Sequence, residues 1–529
     1  MSEKKKRFLT LRRLAFVGLA LVVAYPLISL MFRLPDNSRR PESHTIANGD
    51  DTTLGRALAP ESQAHPGQSG IVLLANGRDA FVARAQLARQ AERSIDLQYY
   101  MYHQDTVGNL LDYELLKAAD RGVRVRMLID DIYGNQGADT RRALDAHPSI
   151  EVRMWNPFVR GRSRNLQYVF RLKDINYRMH AKTFTVDNQA AILGGRNIGD
   201  EYFDADPGLA FTDLDALTVG AAVAEVSAEF DEYWNSEYAY PVSTLEAAGT
   251  AADLDHLRGE GKAFLAEHST SVYVDALDHS DLAQALRQHT VAFRWSEARI
   301  IHDSSEKKAH DADWQEELLI SQLAPTIQNA QREAIIVSPY FVPGERATAA
   351  LCKLSRNGVR VRILTNSLVS NDVAAVHAGY AKYRKPLLRC GVELYELNEN
   401  LRDTEEKTFF WLPGLSKSSL HAKTMAFDRE TMFVGSFNFD ARSLHINNEI
   451  GILFKDPRIA AEAAESFDRR IEQAAFRVVL ETDDHGRETM RWLGKSDGRD
   501  ITFDSEPYAG WGLKLVVDVL KLLPIESQL

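Results

Sequence analysis

The chain has 529 residues, a hydrophobic share of 45% and a formal net charge of −11 at pH 7. This length exceeds that of one ordinary hydrophobic core, so we expect two or more structural units. The acidic balance argues against a general nucleic-acid-binding protein, which would carry a basic stripe. The two cysteines, Cys352 and Cys390, are too few for a disulfide framework or a zinc ribbon. We interpret them as two unremarkable thiols, and the sequence leaves open whether they pair.

Residues 1–34 differ in composition from the rest of the chain. A basic head precedes an uncharged, mostly apolar run over residues 14–32, which as a helix would be about 28 Å long, near the thickness of a bilayer core. We interpret this segment as an uncleaved membrane anchor, because a cleaved signal peptide would show a small-x-small pattern after Phe32. The positive-inside rule then predicts a cytoplasmic N-terminus, with the body of the chain across the membrane.

The body of the chain contains an internal sequence repeat. Residues 118–131 (AADRGVRVRMLIDD) return as residues 354–367 (LSRNGVRVRILTNS), and in both copies a helix is expected to end at Gly122 or Gly358 before a strand begins. Further matching strands are expected at 94–102 with 334–342 and at 150–155 with 392–397. A repeat of this length indicates duplicated domains.

Each half has the order helix, strand, helix, strand, strand, which predicts an α/β sandwich lobe with a mostly parallel sheet. We therefore predict an α/β fold of two duplicated lobes. The expected segments are the anchor at 1–34, a flexible linker at 35–70, the first lobe at 71–240, a helical linker or insertion at 241–315, the second lobe at 316–500 and an amphipathic tail at 501–529.

The same polar residues recur in both halves, in HAKTFTVDNQAAILGGRN and HAKTMAFDRETMFVGSFN. The first copy contains His180, Lys182, Asp187, Gly194, Gly195 and Asn197, and the second contains His421, Lys423, Asp428, Gly435, Ser436 and Asn438. His and Lys two positions apart on a strand project from the same face. One copy alone is more typical of a buried, hydrogen-bonded histidine, whereas two matching copies predict one shared site.

These residue types suit phosphoryl chemistry. An imidazole attacks phosphorus or carries a proton near neutral pH, while lysine ammonium and asparagine amide groups hold phosphoryl oxygens. Protonated lysine is a poor metal ligand and the spacing of zinc sites is missing, so we expect neither a metal nor another cofactor. We predict His180, Lys182, Asp187, His421, Lys423 and Asp428 as catalytic residues, with Asn197, Asn438 and Ser436 supporting or binding phosphate.

The paired motif resembles that of the phospholipase D superfamily, over roughly residues 70–500. Within it, residues 194–203, 211–217 and 435–451 look like bacterial cardiolipin synthases, most of all the subgroup typified by cardiolipin synthase C. The resemblance implies two lobes related by a pseudo-twofold axis and one cleft. It also implies a covalent phosphohistidine, with His180 as the usual nucleophile and His421 as general acid and base.

The four carboxylates near the motifs are interpreted as residues that support the fold or the histidines. Asp187 and Asp428 are better interpreted as structural or histidine-supporting than as acids acting on substrate. Asp215 and Glu449 occupy matching places after the motifs and would orient the opposite histidines, although a structural salt bridge explains them almost as well.

Three segments bear on substrate choice. A basic stretch before the first motif suits an approach for anionic headgroups, or is a solvated loop; its residues are Arg160, Arg162, Arg164, Arg171, Lys173 and Arg178. The aromatic run 409–413 would insert at a bilayer interface, or pack on the other lobe. The tail has Leu513, Val516, Val517, Leu520 and Leu523 at helical spacing, and would lie on the membrane or dock on the body.

The resemblance implies phosphatidyl transfer at the bacterial inner membrane, with the catalytic body on the periplasmic side. The product would be cardiolipin, made from phosphatidylglycerol and a second phospholipid, either phosphatidylglycerol or phosphatidylethanolamine. The alternatives are hydrolysis to phosphatidic acid and a non-catalytic lipid-binding role. A nuclease fits less well with an acidic, apparently anchored chain. No nucleic-acid partner is expected.

Overall fold

The computed structural model describes residues 30–205, 210–268, 271–308, 318–398, 418–496, 499–523 and 526–528. The strands of the first half are β1 (Ser69–Leu74), β2 (Ser94–Tyr99), β3 (Arg124–Asp130), β4 (Ile150–Trp155), β5 (Thr183–Val186), β6 (Ala190–Gly194), β7 (Ala210–Thr212), β8 (Asp215–Gly220) and β9 (Ala239–Pro241). Those of the second are β10 (Arg294–His302), β11 (Glu333–Val337), β12 (Arg360–Thr365), β13 (Glu393–Leu397), β14 (Ser418–Leu420), β15 (Thr424–Phe427), β16 (Thr431–Gly435), β17 (Ile450–Lys455), β18 (Ala475–Thr482), β19 (Glu488–Ser496) and β20 (Arg499–Phe503).

One sheet of 18 strands passes through both halves. Its hydrogen-bonded neighbours follow the order β9-β4-β3-β2-β5-β6-β8-β1-β10-β17-β16-β15-β11-β12-β13-β18-β19-β20. Among the described strands, each lobe has one parallel triplet, β2-β3-β4 or β11-β12-β13, and its other strand pairs are antiparallel. The expectation of a mostly parallel sheet is therefore wrong: each motif forms an antiparallel hairpin beside its triplet.

Helices cover the sheet, and the described residues form three large hydrophobic cores and one small cluster. They are α1 (Thr53–Ala64), α2 (Gly77–Gln90), α3 (Thr106–Asp120), α4 (Ala138–Asp145), α5 (Arg164–Phe170), α6 (Leu172–Ile175), α7 (Ala221–Asn235), α8 (Val242–Leu245), α9 (Ala251–Glu267), α10 (Val272–His279), α11 (Asp281–Gln288), α12 (Leu319–Gln328), α13 (Gly344–Arg356), α14 (Ala374–Ala381), α15 (Arg384–Arg389), α16 (Ala441–His445), α17 (Pro457–Ala474) and α18 (Trp511–Leu520). A core shared by both lobes contains Phe230 and Trp234 of α7 and Phe467 of α17.

The turns from helix to strand follow the sequence pattern. Gly122 after α3 and Gly358 after α13 have φ values of +96° and +91°, a backbone region that glycine enters without a Cβ penalty. The strands that follow, β3 and β12, contain the repeated Val/Arg alternation. Their in-register pairing with β2 and β11 makes the two halves structurally equivalent.

Short backbone pairings cross between the lobes. β7 of the first lobe pairs in parallel with β14 of the second, and an equivalent parallel bridge joins Met179 to Asn448. Through these pairings the amide N of His180 donates to the carbonyl of Asn448 at 2.8 Å, and that of His421 donates to the carbonyl of Thr212 at 2.8 Å. Each motif histidine therefore sits on backbone from the opposite lobe.

The segment predicted as a flexible linker is partly folded onto the first lobe. Residues 53–64 form α1, and residues 37–45 lie against the lobe. The buried guanidinium of Arg126 donates to the carbonyl of Ser43 at 2.8 Å, and Asn37 donates to the carbonyl of Ala239 at 3.0 Å. The prediction failed because these partners come from the lobe, not from the segment's own composition.

The insertion at 241–315 does more than link the lobes. Helix α9 packs on α3 and α4, and α10 and α11 pack on α2, so these helices belong to the first lobe. Strand β10 joins the sheet edges, pairing with β1 on one side and β17 on the other. Beyond it, Asp303 Oδ2 accepts the amide of Glu449 at 2.9 Å, which ties the insertion to the second lobe.

Cys352 in α13 and Cys390 after α15 form a disulfide, so the interpretation as two unremarkable thiols is wrong and the open question of pairing is answered. Their Cα atoms lie 5.3 Å apart, within the range that a disulfide requires. The packing of α13 against α15 creates this proximity, and a separation of 38 residues in sequence does not indicate it.

Residues 1–29 of the predicted anchor and the whole aromatic run lie outside the described residues, which begin at Leu30 and omit 399–417. Among the residues that are described, no helix combines the length and the apolar character that crossing a membrane needs.

The C-terminal tail docks on the second lobe through α18. Val517 is buried with Ala378 of α14, and Leu513 and Leu520 pack beside them. Val516, which the sequence pattern assigned to the same face, is exposed. Docking therefore uses only part of the apolar surface of this helix.

Candidate active site

Each motif lies at the C-terminal ends of the parallel strands in its own lobe. His180 and Lys182 immediately precede β5, whose first residue pairs with Gln98 near the C-terminal end of β2. His421 and Lys423 precede β15 in the same way, beside the C-terminal end of β11. The cross-lobe pairings bring these two edges together, as the shared-site prediction requires.

Each histidine is oriented by a carboxylate from the other lobe. His180 Nδ1 lies 2.8 Å from Glu449 Oε2, and His421 Nδ1 lies 2.6 Å from Asp213 Oδ2. A carboxylate can only accept, so we assign the Nδ1 proton to these bonds in both rings. That tautomer leaves Nε2 of each histidine with its lone pair, ready to attack phosphorus or accept a proton.

Asp215, the predicted partner of a histidine, has a different role. Its carboxylate lies 2.8 Å from the guanidinium of Arg84 and 3.5 Å from that of Arg196, all of them buried. The strand register explains the error. Gly194 pairs with Asp215 in the first lobe, and Gly435 pairs with Gly451 in the second, so the counterpart of Glu449 is two residues before Asp215.

Asp213 is therefore the residue that sequence reasoning missed. The sequence contains the signal, because FTDLDAL has two aspartates. When the two lobes are aligned on Gly194 and Gly435, only the first aspartate matches Glu449. Arg196 secures the loop by donating to the carbonyl of Asp213 at 2.6 Å. Burial alone would raise the pKa of Asp213, but His421 and Lys423 bring it below the ordinary value.

The two carboxylates are accommodated differently. A Cβ on Gly195 would lie 2.1 Å from Asp213 Oδ1, so glycine is required for this approach. In the second lobe the equivalent Ser436 donates to Glu449 Oε2 at 2.5 Å, and Ser443 donates to Oε1 at 2.8 Å. Ser436, predicted to support the site or bind phosphate, thus holds the orienting carboxylate of His180.

The lysines are buried behind the histidines. Lys182 Nζ donates to the carbonyl of His180 at 2.5 Å, and Lys423 Nζ donates to the carbonyl of His421. Burial lowers the pKa of Lys182 well below its ordinary value and that of Lys423 to about 8. A phosphate between them would restore the charged form, because an opposite charge favours it.

The same burial and the same cations act on the histidines. The pKa of His180 is well below 6.5, first because the ring is buried and then because Lys182 and Lys423 repel a proton. The pKa of His421 is lowered by burial and Lys423, with Asp213 opposing the shift. Each ring carries charge effects from the other motif, as expected for one site.

Aromatic rings that the sequence did not single out surround the histidines. Tyr100 meets His180 edge to face, with ring centroids 4.8 Å apart, and Tyr202 meets His421 at 5.1 Å. Phe211 lies 5.2 Å from His421 on another side. These rings fix the imidazole planes and exclude water from their edges.

The motif aspartates support the hairpins rather than the reaction. Asp187 accepts backbone N–H groups of Arg93 at 2.8 Å and Ser94 at 2.9 Å, before β2. Asp428 accepts those of Arg332 at 2.7 Å and Glu333 at 3.0 Å, before β11. These contacts agree with the structural interpretation, and the assignment of both aspartates to the catalytic residues stays a prediction.

The two motif asparagines, Asn197 in GGRN and Asn438 in GSFN, have different surroundings. Asn197 Oδ1 accepts the amide of Met101 at 3.2 Å, so it is engaged in holding β2. Asn438 Oδ1 is buried and has no hydrogen-bond partner among the described residues. Because Oδ1 can only accept, the predicted contact with a phosphoryl oxygen would have to come from the amide NH2 of Asn438.

The basic stretch before the first motif is mostly used internally. Arg178 is buried and donates to Asp130 at 3.0 Å, and Arg160 donates to Asp131 at 2.6 Å. Arg164 and Arg171 donate to backbone carbonyls. Only Arg162 and Lys173 of this stretch are exposed, so the predicted electropositive approach is reduced to two side chains.

A candidate metal-binding group lies outside the two motifs. Ligand atoms of His103, Asp105 and Glu201 lie within 4.8 Å of one another. The oxygens of Asp105 already accept the amides of Gly108 and Asp200, which caps α3. The group is therefore committed to local structure.

The comparison with known protein families gives one match in each half of the chain. The family described as cardiolipin synthase, PLD-like domain, matches residues 85–234 and 323–471. Cardiolipin synthase C of Escherichia coli K12 is 38% identical, over 89% of this chain and 99% of its own. Cardiolipin synthase A of Pseudomonas syringae is 26% identical over 82% of this chain and 74% of its own.

A solved structure shares the fold. The crystal structure of phosphatidylserine synthase from Haemophilus influenzae matches with a TM-score of 0.56 and 13% identity, covering 90% of this chain and 100% of that one.

Replacing either motif aspartate by asparagine should reduce stability more than catalysis. Asp187→Asn and Asp428→Asn each weaken charge-assisted backbone hydrogen bonds, which should lower the free energy of unfolding by about 1–3 kcal/mol. Thermal unfolding in detergent, with Asp484→Asn in an exposed turn as the control, measures this loss. A variant of parental stability that lost turnover would instead place these carboxylates in the reaction.

Proposed function

The chain belongs to the cardiolipin synthase, phospholipase D-like family, and on that premise we propose that it transfers a phosphatidyl group from one phospholipid to the hydroxyl of another. The product would be cardiolipin. Phosphatidylglycerol would serve as the acceptor through a hydroxyl of its headgroup, and phosphatidylglycerol or phosphatidylethanolamine as the donor. One observation carries this proposal: two histidines in one buried site, each fixed by a carboxylate from the opposite lobe.

The reaction takes two displacements at phosphorus. In the first, Nε2 of His180 attacks the phosphodiester, the bond to the leaving alcohol breaks, and Nε2 of His421 gives that alcohol a proton. In the second, His421 takes the proton of the acceptor hydroxyl, the new oxygen–phosphorus bond forms, and the bond to His180 breaks. Lys182 and Lys423 balance the charge on the phosphoryl oxygens.

Substrate binding prepares His421 for its acid role. In the free site, burial and Lys423 lower the pKa of this histidine, which disfavours the imidazolium. An anionic phosphodiester beside both lysines offsets their repulsion and favours the imidazolium, which Asp213 stabilises through Nδ1. Protonation of the general acid is thereby coupled to occupancy of the site.

We place the catalytic body on the periplasmic side of a bacterial inner membrane, held by the anchor predicted at residues 14–32. Two observations support this location. The basic head favours a cytoplasmic N-terminus, and the Cys352–Cys390 disulfide suits an oxidising compartment. Protease digestion of spheroplasts tests it, since a body that resisted digestion until the cells were lysed would lie in the cytoplasm.

Purified full-length protein should convert labelled phosphatidylglycerol into cardiolipin and glycerol. His180→Ala and His421→Ala should each abolish turnover, and acid-quenched reactions of the parent should carry labelled phosphate on one histidine. Thin-layer chromatography and peptide mapping provide the measurements. Phosphatidic acid as the sole product would support the hydrolase alternative, and full activity in either alanine variant would contradict the shared site.

The orienting carboxylates should matter for turnover and not for affinity. Asp213→Asn and Glu449→Gln allow the wrong histidine tautomer, so kcat should fall on the order of 10²- to 10⁴-fold with little change in KM. Asp215→Asn serves as the comparison: it removes the carboxylate that balances the buried charge of Arg84 and should lower thermal stability first. If Asp215→Asn reduced kcat of the folded enzyme as Asp213→Asn does, the register assignment would be wrong.

The pH profile should reflect the lowered proton affinities. Since the pKa of Lys423 is about 8, its ammonium is present below that pH, and kcat/KM should fall as pH rises through 8. Lys423→Arg should move this limb upward, because arginine stays charged. The acid limb should lie below pH 6.5, since the pKa of His180 is lowered. A control, exposed Lys353→Arg, should leave both limbs unchanged.

A further inference from the structure

An exposed apolar surface lies on the two short helices before the first motif. Val169 in α5 is 65% exposed, although valine gains nothing from contact with water. The same surface contains Leu166, Tyr168 and Leu172, and the described chain begins beside it with exposed Leu30 and Met31. We call these six residues the N-terminal patch. Its size exceeds the scattered apolar side chains of an ordinary surface.

A second such surface is the outer side of α18. While Leu513, Val517 and Leu520 pack inward on the body, Trp511 on the other side is 84% exposed. This helix is therefore apolar on both sides, which a docked surface helix does not need. The residues of the C-terminal patch are Trp511, Leu515, Val516, Val519, Leu522 and Leu523.

The segments that follow the two patches in sequence contact each other beside the catalytic cleft. Asn176, which follows α6 by one residue, lies four positions before His180. Its amide donates to Gln528 at 3.0 Å in the C-terminal turn, and its oxygen accepts Arg442 at 3.0 Å. The charge of Arg442 also contributes to the lowered pKa of His180, so this junction lies within electrostatic range of the nucleophile.

We propose that the two patches together seat the catalytic cleft on an anionic phospholipid bilayer, so that a headgroup enters the site while its acyl chains stay in the membrane. This inference rests on the proposed function and names the surface that delivers its substrate. Phe32, the last residue of the predicted anchor, stacks on Phe170 of α5 with ring centroids 5.4 Å apart. The chain thus leaves the predicted membrane segment directly at the N-terminal patch.

Charge and residue type favour a lipid surface over a second protein chain. Three exposed cationic side chains, Arg33, Arg162 and Lys173, lie in sequence beside the apolar residues of the N-terminal patch. Anionic headgroups attract such residues, and an exposed tryptophan at the edge of an apolar helix is typical of the bilayer interface. The disposition matches helices that lie in the plane of the membrane.

Site-specific labelling of the full-length protein tests the seat directly. Both native cysteines are in a disulfide, so single Val169→Cys and Val519→Cys variants accept an environment-sensitive dye selectively. In nanodiscs of phosphatidylglycerol and phosphatidylcholine, both dyes should shift to the blue and be quenched by spin-labelled acyl chains. Val272→Cys, at a valine 55% exposed outside both patches, provides the matched control and should show neither effect.

Activity measurements distinguish membrane docking through the two patches from catalysis. Val169→Glu and Val519→Glu should each reduce turnover of vesicle phosphatidylglycerol about tenfold or more, while turnover of a short-chain monomeric analogue stays within about twofold. Val272→Glu should change neither. Dyes that stayed in water, or that were shielded without acyl-chain quenching, would overturn the proposal, the latter in favour of a protein contact. Normal quenching with no product from either substrate would overturn the proposed function alone.

Discussion

The hydrogen bonds from His180 to Glu449 and from His421 to Asp213 join chemistry to architecture, because each one crosses between lobes. A histidine whose Nδ1 partner lies on the other lobe has its tautomer fixed only when the lobes are assembled. The bridging strand β10 and the β7–β14 pairing hold that assembly. Duplication has therefore produced one site, and neither lobe contains a complete half of it.

The pseudo-twofold relation is broken where the reaction needs two different histidines. Gly195 gives Asp213 a close approach, whereas Ser436 at the equivalent position donates to the longer Glu449. Burial raises the pKa of Glu449 despite Lys182 and the serines, while the pKa of Asp213 ends below its ordinary value. The two imidazoles thus face carboxylates of unequal proton affinity, which suits one nucleophile and one proton carrier.

What the sequence predicts well is local. The motif Asp is set by a tight turn, and Asp187 adopts the positive φ such a turn requires. His180 and Lys182 come immediately before the first strand of the same hairpin. The predictions fail where the interacting residues are far apart in sequence. Choosing Asp213 over Asp215 requires the strand register, Cys352 finds its partner only through helix packing, and the carbonyl of Ser43 is held by an arginine of the lobe. Composition contains none of this information.

A site that is buried yet handles two lipids needs a mouth at the membrane surface. The acceptor must reach the same phosphohistidine after the first alcohol leaves, so donor and acceptor use one entrance in turn. Water reaches that entrance as well, and the aromatic rings around His180 and His421 limit it. A seat beside Asn176 would supply acceptor hydroxyls at the high local concentration of a bilayer, which favours transfer over hydrolysis without any change in the catalytic residues.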